Sequence, residues 1–204
     1  MVVSASQIPP LSSLFETGEL EYRPTDVKPD RIMNDTVCFI RDDITRLGVD
    51  VIVNSTDMTF AGAGALDSAI YDAAGPQMQA ELKALGSSSW GAARVTKGYA
   101  LPCKHVIHVL PPEIFHVHTE DVVRKCYRNA LKMAADVLGV GTIALPAIGT
   151  GMLDYPPRTA ARIAIEEVRS FLETYDETRR CPLEKIIFCV FTGEVNLIYK
   201  SLLP

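Results

Sequence analysis

The sequence predicts an α/β fold in which helices cover both faces of a largely parallel sheet. Apolar β-type runs alternate along the chain with stretches of helical periodicity, an order typical of parallel sheets. Most of the strand-like runs are almost continuously apolar, as strands buried on both faces are. The 204 residues, 48% of them hydrophobic, suit a single domain with a substantial core.

Short apolar runs and helical spacing define the individual elements. The segments that we interpret as strands are 36–40, 49–53, 93–101, 106–110, 142–145 and 185–190. The predicted helices cover 66–74, 76–85, 122–138, 157–171 and a short terminal segment that ends near residue 203. Pro76 is expected to start or kink the second helix, and Thr119 to cap the third.

Charge and composition exclude several classes of protein. Twenty basic side chains face 25 acidic ones, a net charge of −5, so no broad cationic field is available for duplex nucleic acid. The apolar runs are too short for a membrane span, and the N-terminus lacks the basic region of a signal peptide. The five cysteines form no Cys-x-x-Cys pair, so we expect buried, reduced thiols. We therefore expect an intracellular monomer, cytoplasmic or nuclear, away from membranes.

Two loops follow predicted strands, where parallel α/β sheets bind their ligands. The first covers 54–65, with Gly62 and Gly64 just before a helix, and the second covers 146–155 around Gly149, Thr150 and Gly151. Small residues let backbone N–H groups approach a phosphate, and a helix N-terminus adds partial positive charge. Together the loops suit a pyrophosphate clamp, whereas either one alone is equally consistent with a tight connection.

Competing chemistries have weaker support. A dinucleotide-binding fingerprint fails because Asp67 occupies the third glycine position, and no P-loop motif is present. The histidines lack the carboxylate or cysteine partners of a metal site, so neither a metal nor a cofactor is expected: His105, His108, His116 and His118. His108 lies in an apolar strand and is interpreted as a hydrogen-bonded core residue. Thr150 has no histidine base and is interpreted as a phosphate ligand rather than a nucleophile.

Several sequence blocks follow one another in a fixed order. They are Asp43-Ile-Thr-x-Leu-x-Val-Asp-x-Ile-Val-Asn54, Asp67 with Ala73-Ala-Gly-Pro76, Val95-Thr-Lys-Gly-Tyr-x-Leu-Pro102 with Val106-Ile-His108, and Gly149-Thr-Gly151 ending at Tyr155-Pro156. In order and spacing they resemble the macro domain, most closely its MacroD-type, ADP-ribose-processing branch. The likeness covers roughly residues 35–200. We therefore assign 35–204 to a macro domain and 1–34 to an N-terminal extension packed on it.

The resemblance implies a three-layer α/β/α sandwich with a mixed, mostly parallel central sheet and ADP-ribose in a cleft across the strand ends. Asp43 and the Ile44 amide would contact the adenine, and Asn54 the distal ribose. The residues implied to wrap the pyrophosphate are Gly62, Ala63, Gly64, Ala65 and Leu66 in the first loop and Gly149, Thr150, Gly151, Met152 and Leu153 in the second. The implied catalytic set is Asp67, Asn54 and Asp57, with Asp67 orienting a water.

The chain departs from the branch's usual pattern in three respects. Asp57 replaces an asparagine, Tyr71 replaces a histidine, and alanines interrupt a run of four glycines at 62–65. A carboxylate at Asp57 must turn away, protonate or find a donor beside a diphosphate. Tyr71 is either a ribose contact or a partly buried helix residue.

Two functions follow from the resemblance. One is a hydrolase that removes ADP-ribose from mono-ADP-ribosylated acidic side chains of proteins or deacetylates O-acetyl-ADP-ribose. The other is a non-catalytic ADP-ribose reader, which the three departures favour.

Overall fold

The computed structural model describes residues 1–22, 30–86, 88–112, 118–175 and 180–203. The strands in these ranges are β1 (Val3–Ser4), β2 (Val37–Arg41), β3 (Leu47–Gly48), β4 (Val51–Ser55), β5 (Ala93–Lys97), β6 (His105–Val109), β7 (Thr142–Leu145) and β8 (Lys185–Val190). The α-helices are α1 (Leu11–Glu16), α2 (Arg31–Thr36), α3 (Ala65–Ala74), α4 (Pro76–Leu85), α5 (Thr119–Lys132), α6 (Pro157–Leu172) and α7 (Gly193–Leu202). A π-helical segment, Met133–Leu138, continues α5.

Six strands form the central sheet, in the order β2-β8-β7-β4-β6-β5. Every neighbouring pair is parallel except β5 and β6, which are antiparallel at one edge. The sheet is therefore mixed and mostly parallel, as predicted. Strands β1 and β3 form a separate parallel pair.

The central sheet separates two hydrophobic cores. Val51 and Val53 face the core that contains residues of α5, α6 and α7, whereas Ile52 between them faces the core that contains residues of α3 and α4. This alternation follows from the period of two along a strand. It confirms the predicted three-layer α/β/α sandwich.

The N-terminal segment packs against the rest of the chain. Ile8, Leu11 and Leu14 are buried, and Ile8 belongs to the core under α3. The Lys185 ammonium donates to the backbone carbonyls of Ala5 at 2.8 Å and Ile8 at 2.9 Å. The predicted boundary at residue 34 stays a prediction, and residues 23–29 are outside the described ranges.

Several element boundaries differ from the sequence-based prediction: β4, for example, covers Val51–Ser55 and not 49–53, so Asn54 ends up in the strand. Two of the differences have a local structural reason. Helix α5 begins at Thr119, so its N-cap is His118 and not Thr119, whose side chain is mostly buried. Strand β5 ends at Lys97 instead of residue 101. The chain turns at Gly98, where an added Cβ would lie 2.0 Å from the Cys103 carbonyl oxygen. Pro76 begins α4, as expected.

No helix in the described ranges is both long and apolar enough to span a membrane. No group of three or more metal-binding side chains is assembled there, and His116 lies outside those residues. The five cysteines are free thiols, and all but Cys181 are buried.

Candidate functional site

A cavity of about 550 Å³ lies across the carboxyl ends of the parallel strands. Its wall follows the strand order of the sheet: Asp43 comes after β2, Phe191 after β8, Pro146 after β7, Thr56 after β4 and Pro111 after β6. The predicted site residues that line it are Asp43, Ile44, Asp57, Gly64, Ala65, Leu66, Asp67, Gly149, Thr150, Gly151, Met152 and Leu153. The two loops singled out in the sequence therefore meet at one cavity.

Asp43 shapes the end of the cavity beside β2. Its Oδ1 accepts hydrogen bonds from the Thr45 amide at 2.9 Å and the Thr45 hydroxyl at 2.7 Å, which caps the short helical turn Ile44–Arg46. Both bonds use Oδ1, so Oδ2 keeps its capacity to accept from a ligand. Phe191, whose side chain is 74% exposed, lies at this same end and offers an aromatic face.

The first loop brings the N-terminus of α3 to the cavity. Gly64 is the N-cap of α3 and has no side chain that could accept a hydrogen bond from the first-turn amides of the helix. Gly62 has φ of +76°, which an L side chain rarely adopts. An anion here would meet backbone N–H groups and the positive end of the helix dipole.

The second loop is held by its own hydrogen bonds. Gly149 has φ of +81°, and its carbonyl accepts from the Tyr155 amide at 3.0 Å. The Thr150 hydroxyl donates to the Ala147 carbonyl at 2.9 Å, an arrangement that fixes the turn and does not activate the hydroxyl. Met152 is 65% exposed at the rim.

Asp67 is the buried acidic group of the cavity wall. Only 1% of the residue is exposed. Its Oδ1 accepts from the Asn54 amide at 2.6 Å, and its Oδ2 accepts from the Thr56 hydroxyl at 2.8 Å. The Tyr71 hydroxyl lies 3.3 Å from Thr56 Oγ1. A network of donors thus surrounds a carboxylate taken out of water.

Burial and hydrogen bonding have opposite effects on the pKa of the Asp67 carboxylate. Burial raises the pKa of Asp67 above its usual range, although the donors Asn54, Thr56 and Tyr71 stabilise the charged form, and the charge of Asp57 adds to the rise. Burial also raises the pKa of Tyr71, so the phenol stays protonated. Asp67 is therefore a more basic carboxylate than an exposed aspartate, within reach of the cavity.

The Asp57 carboxylate accepts hydrogen bonds from a neighbouring residue. Its Oδ1 accepts from the Thr59 amide at 2.6 Å and also from the Thr59 hydroxyl, which forms a local turn. The side chain nevertheless lines the cavity. Asp57 therefore keeps a partly exposed negative charge beside Asp67.

Four of the predicted site residues lie off the cavity wall. Asn54 is fully buried behind Asp67, and Tyr71 is 4% exposed. Gly62 and Ala63 belong to the first loop without lining the cavity. In this structure the Asn54 amide donates to Asp67, and its expected contact with the distal ribose stays a prediction.

Several lining residues were not singled out from the sequence, among them Trp90, Pro111 and Phe191. Phe191 directly follows the strand that was predicted at 185–190. The rule that ligands bind beyond carboxyl ends would have identified it. Trp90 precedes the antiparallel edge strand, to which that rule does not apply.

The cavity wall has an unusual charge for an anion site. Its ionisable side chains are all acidic: Asp42, Asp43, Asp57, Asp67 and Glu194. No Lys or Arg lines it among the residues described. Any phosphate must therefore be held by backbone amides and helix ends.

Comparison with known proteins agrees with this architecture. A family model described as the macro domain matches residues 53–164. The chain is 40% identical over 178 residues to a macro domain-containing protein of Chlorobaculum tepidum, covering 86% of this chain and 98% of that protein. It is 36% identical to the ADP-ribose glycohydrolase MACROD2 of Xenopus laevis, covering 97% of this chain and 47% of that one, so it spans about half of that relative.

A solved structure has the same fold over the whole chain. The Trypanosoma brucei macrodomain, crystallised in complex with ADP-ribose, has a TM-score of 0.83 and 28% identity, covering 100% of this chain and 77% of that one. The sequence blocks, the three-layer fold and the cavity across the strand ends agree with these similarities. The chain belongs to the macro domain family.

Proposed function

We propose that this chain binds ADP-ribose in the cavity and hydrolyses the bond that links it to acidic side chains of mono-ADP-ribosylated proteins. The observation that carries the proposal is the buried Asp67 carboxylate in the wall of a cavity whose two loops suit a diphosphate. The names of the relatives, ADP-ribose glycohydrolases among them, support the same reaction.

The strand order supports a proposed place for each part of the ligand. From β2 to β4 the sheet crosses three strand spacings, roughly 14 Å in all. The purine would lie at the first end, between Asp43 and Phe191. The diphosphate would lie between the loop at Gly149 and the N-terminus of α3, and the distal ribose beside Asp67.

Asp67 would position the attacking water. Its desolvated carboxylate accepts a hydrogen bond from the water and orients it toward the carbon under attack, with help from the substrate's own phosphate. The bonds from Asn54 and Thr56 keep the carboxylate in place. Attack would form a bond between the water oxygen and that carbon and break the carbon's bond to the acceptor, whose carboxylate departs. The proton released by the water would pass to Asp67. The same water would serve for removing the acetyl group of O-acetyl-ADP-ribose.

Two measurements on one set of variants test this. ADP-ribose affinity is measured by calorimetry, and product formation is followed on mono-ADP-ribosylated protein and on O-acetyl-ADP-ribose. We expect Asp67→Asn to lower turnover about 100-fold or more and to leave affinity within a few-fold. Asp72→Asn is the matched control, because Asp72 is an exposed carboxylate on the same helix. Equal turnover by the two variants would refute the role of Asp67.

A reader function is the second candidate, and the charge of Asp57 favours it. The partly exposed carboxylate of Asp57 repels the negative charge of a bound diphosphate. It also repels the negative charge that develops on the departing carboxylate during hydrolysis. Tight binding with no product above the enzyme-free control would establish the reader. Asp57→Asn combined with Tyr71→His then shows whether those two residues prevent turnover.

A further inference from the structure

His108 lies behind the candidate catalytic carboxylate and is not part of the cavity wall. It is fully buried near the carboxyl end of β6. The parallel register of β4 and β6 pairs Asn54 directly with His108, so the two side chains share the face of the sheet beneath α3. Helix α3 supplies Asp67 above them.

The hydrogen bonds fix the tautomer of His108. The Asn54 Nδ2 amide donates to Asp67 Oδ1 at 2.6 Å, and its second hydrogen points to His108 Nδ1 at 3.1 Å. Nδ1 must therefore carry a lone pair and not a proton. The proton is on Nε2, which lies 2.9 Å from the Thr96 hydroxyl and donates to it.

Burial keeps the ring in this neutral form. It lowers the pKa of His108 to about 3, so no second proton binds Nδ1 at neutral pH. A protonated Nδ1 would face the Asn54 N–H group donor to donor. The arrangement therefore persists across the physiological range of pH.

The orientation of the Asn54 amide depends on these two acceptors. With the ring in its Nε2–H form, rotating the amide by half a turn would point its oxygen at both the Asp67 carboxylate and the Nδ1 lone pair, two repulsive contacts. In the observed orientation the Asn54 Oδ1 atom is buried and has no hydrogen-bond partner among the described residues. The preference of Asp67 and His108 for the amide hydrogens thus outweighs the loss at Oδ1.

We propose that His108 is a positioning residue: its neutral Nε2–H tautomer orients the Asn54 amide, which in turn fixes Asp67 for catalysis. The proposal rests on the hydrolase function proposed above. His108 touches no substrate. Because its effect is transmitted through Asn54, replacing His108 should change kcat and leave the affinity for the ligand unchanged.

Replacing His108 with Asn or Leu provides a matched pair. The two side chains have similar size, but only Asn offers an acceptor close to the position of Nδ1. We expect His108→Leu to lower kcat about 10-fold or more with KM and the Kd for ADP-ribose within threefold, while His108→Asn recovers most of kcat. If His108 had only a structural role, both variants would be less stable to heat. Their kcat values would then equal each other and that of the wild type. Equal kcat in the two variants overturns the proposal.

A nuclear magnetic resonance measurement on the wild-type protein does not depend on activity or on variant folding. The ¹⁵N shifts of the His108 ring distinguish the two neutral tautomers and the imidazolium. We expect the Nε2–H form and no titration between pH 5 and 8. An Nδ1–H form, or a titration in that range, overturns the proposal. If the wild-type protein shows no turnover, the hydrolase proposal fails, and the tautomer still decides whether His108 orients Asn54.

Discussion

Replacing Gly62 with Ala tests how the first loop supports Tyr71 behind the candidate catalytic carboxylate. Gly62 has φ of +76°, and an added Cβ would lie 2.9 Å from Tyr71 Cδ2. The Tyr71 ring is 4% exposed, and its hydroxyl lies 3.3 Å from Thr56 Oγ1, which donates to Asp67. The ring cannot move aside without shifting this network.

Gly86→Ala is the matched control for backbone strain. Gly86 has a similar φ of +71°, but an added Cβ there meets nothing within 4 Å. With the ψ of −170° of Gly86, an Ala there costs roughly 1–3 kcal/mol. The stiffer unfolded chain offsets about 0.4–1 kcal/mol of this cost. Gly86→Ala should therefore lower the free energy of unfolding by about 1 kcal/mol. At Gly62 the contact with Tyr71 adds about 1–3 kcal/mol of overpacking.

Urea unfolding and turnover on the same two variants provide the measurement. We expect Gly62→Ala to lose about 2–4 kcal/mol of stability and to lower kcat, because Thr56 and Asp67 shift with the ring. Gly86→Ala should keep the kcat of the wild type, since Gly86 ends α4 and does not line the cavity. If the two variants lose the same stability and both keep kcat, the contact between the loop and Tyr71 has no role at the site.

Three further predictions concern carboxylates. Asp57→Asn should tighten ADP-ribose binding several-fold in low salt, and the gain should shrink in high salt, because a screened negative charge is removed from the cavity wall. Burial raises the pKa of Asp67, so the ionised carboxylate reduces the stability of the fold at neutral pH. Asp67→Asn should therefore raise the free energy of unfolding at neutral pH, and this gain should vanish below about pH 4. Unfolding measured as a function of pH tests this. Burial alone would raise the pKa of Asp50, but bonds from Lys104 and Thr142 hold it below the usual range. Asp50→Ala should therefore cost about 2–3 kcal/mol of stability, and this loss should shrink as the pH falls below about 4. The affinity for ADP-ribose should not change, because Asp50 precedes β4 at the end opposite the cavity.

The sequence predicts the layers well because burial on both faces produces almost continuous apolar runs. Strand β8, Lys185–Val190, coincides with its predicted range. Errors occur where a tertiary contact ends an element. The turn at Gly98 depends on close packing against the Cys103 carbonyl, which no periodicity within 93–101 records.

The site could be located from the sequence but not assembled from it. The two loops were predicted because each follows a strand. The partnership of Asn54 with His108 depends on the register between β4 and β6, which are separated by 49 intervening residues in the chain. Alternation within a strand shows which face a residue occupies, but not which residue lies opposite. His108 was correctly interpreted as a hydrogen-bonded core residue, and only the structure shows that its partner is Asn54.

The charge of the chain illustrates the difference between a long-range field and a local one. The net charge of −5 predicts that no broad cationic surface is available for a duplex, and this stays a prediction. It says nothing about a single diphosphate, because the amides of α3 and of the Gly149 loop carry no formal charge and are absent from any count of Lys and Arg. The acidic side chains on the cavity wall make this distinction stronger. They repel polyanions at long range, whereas backbone dipoles a few ångströms from a bound phosphate act at short range, where screening by salt is weakest. An acidic cavity wall and a negative net charge are therefore compatible with the binding of one nucleotide diphosphate.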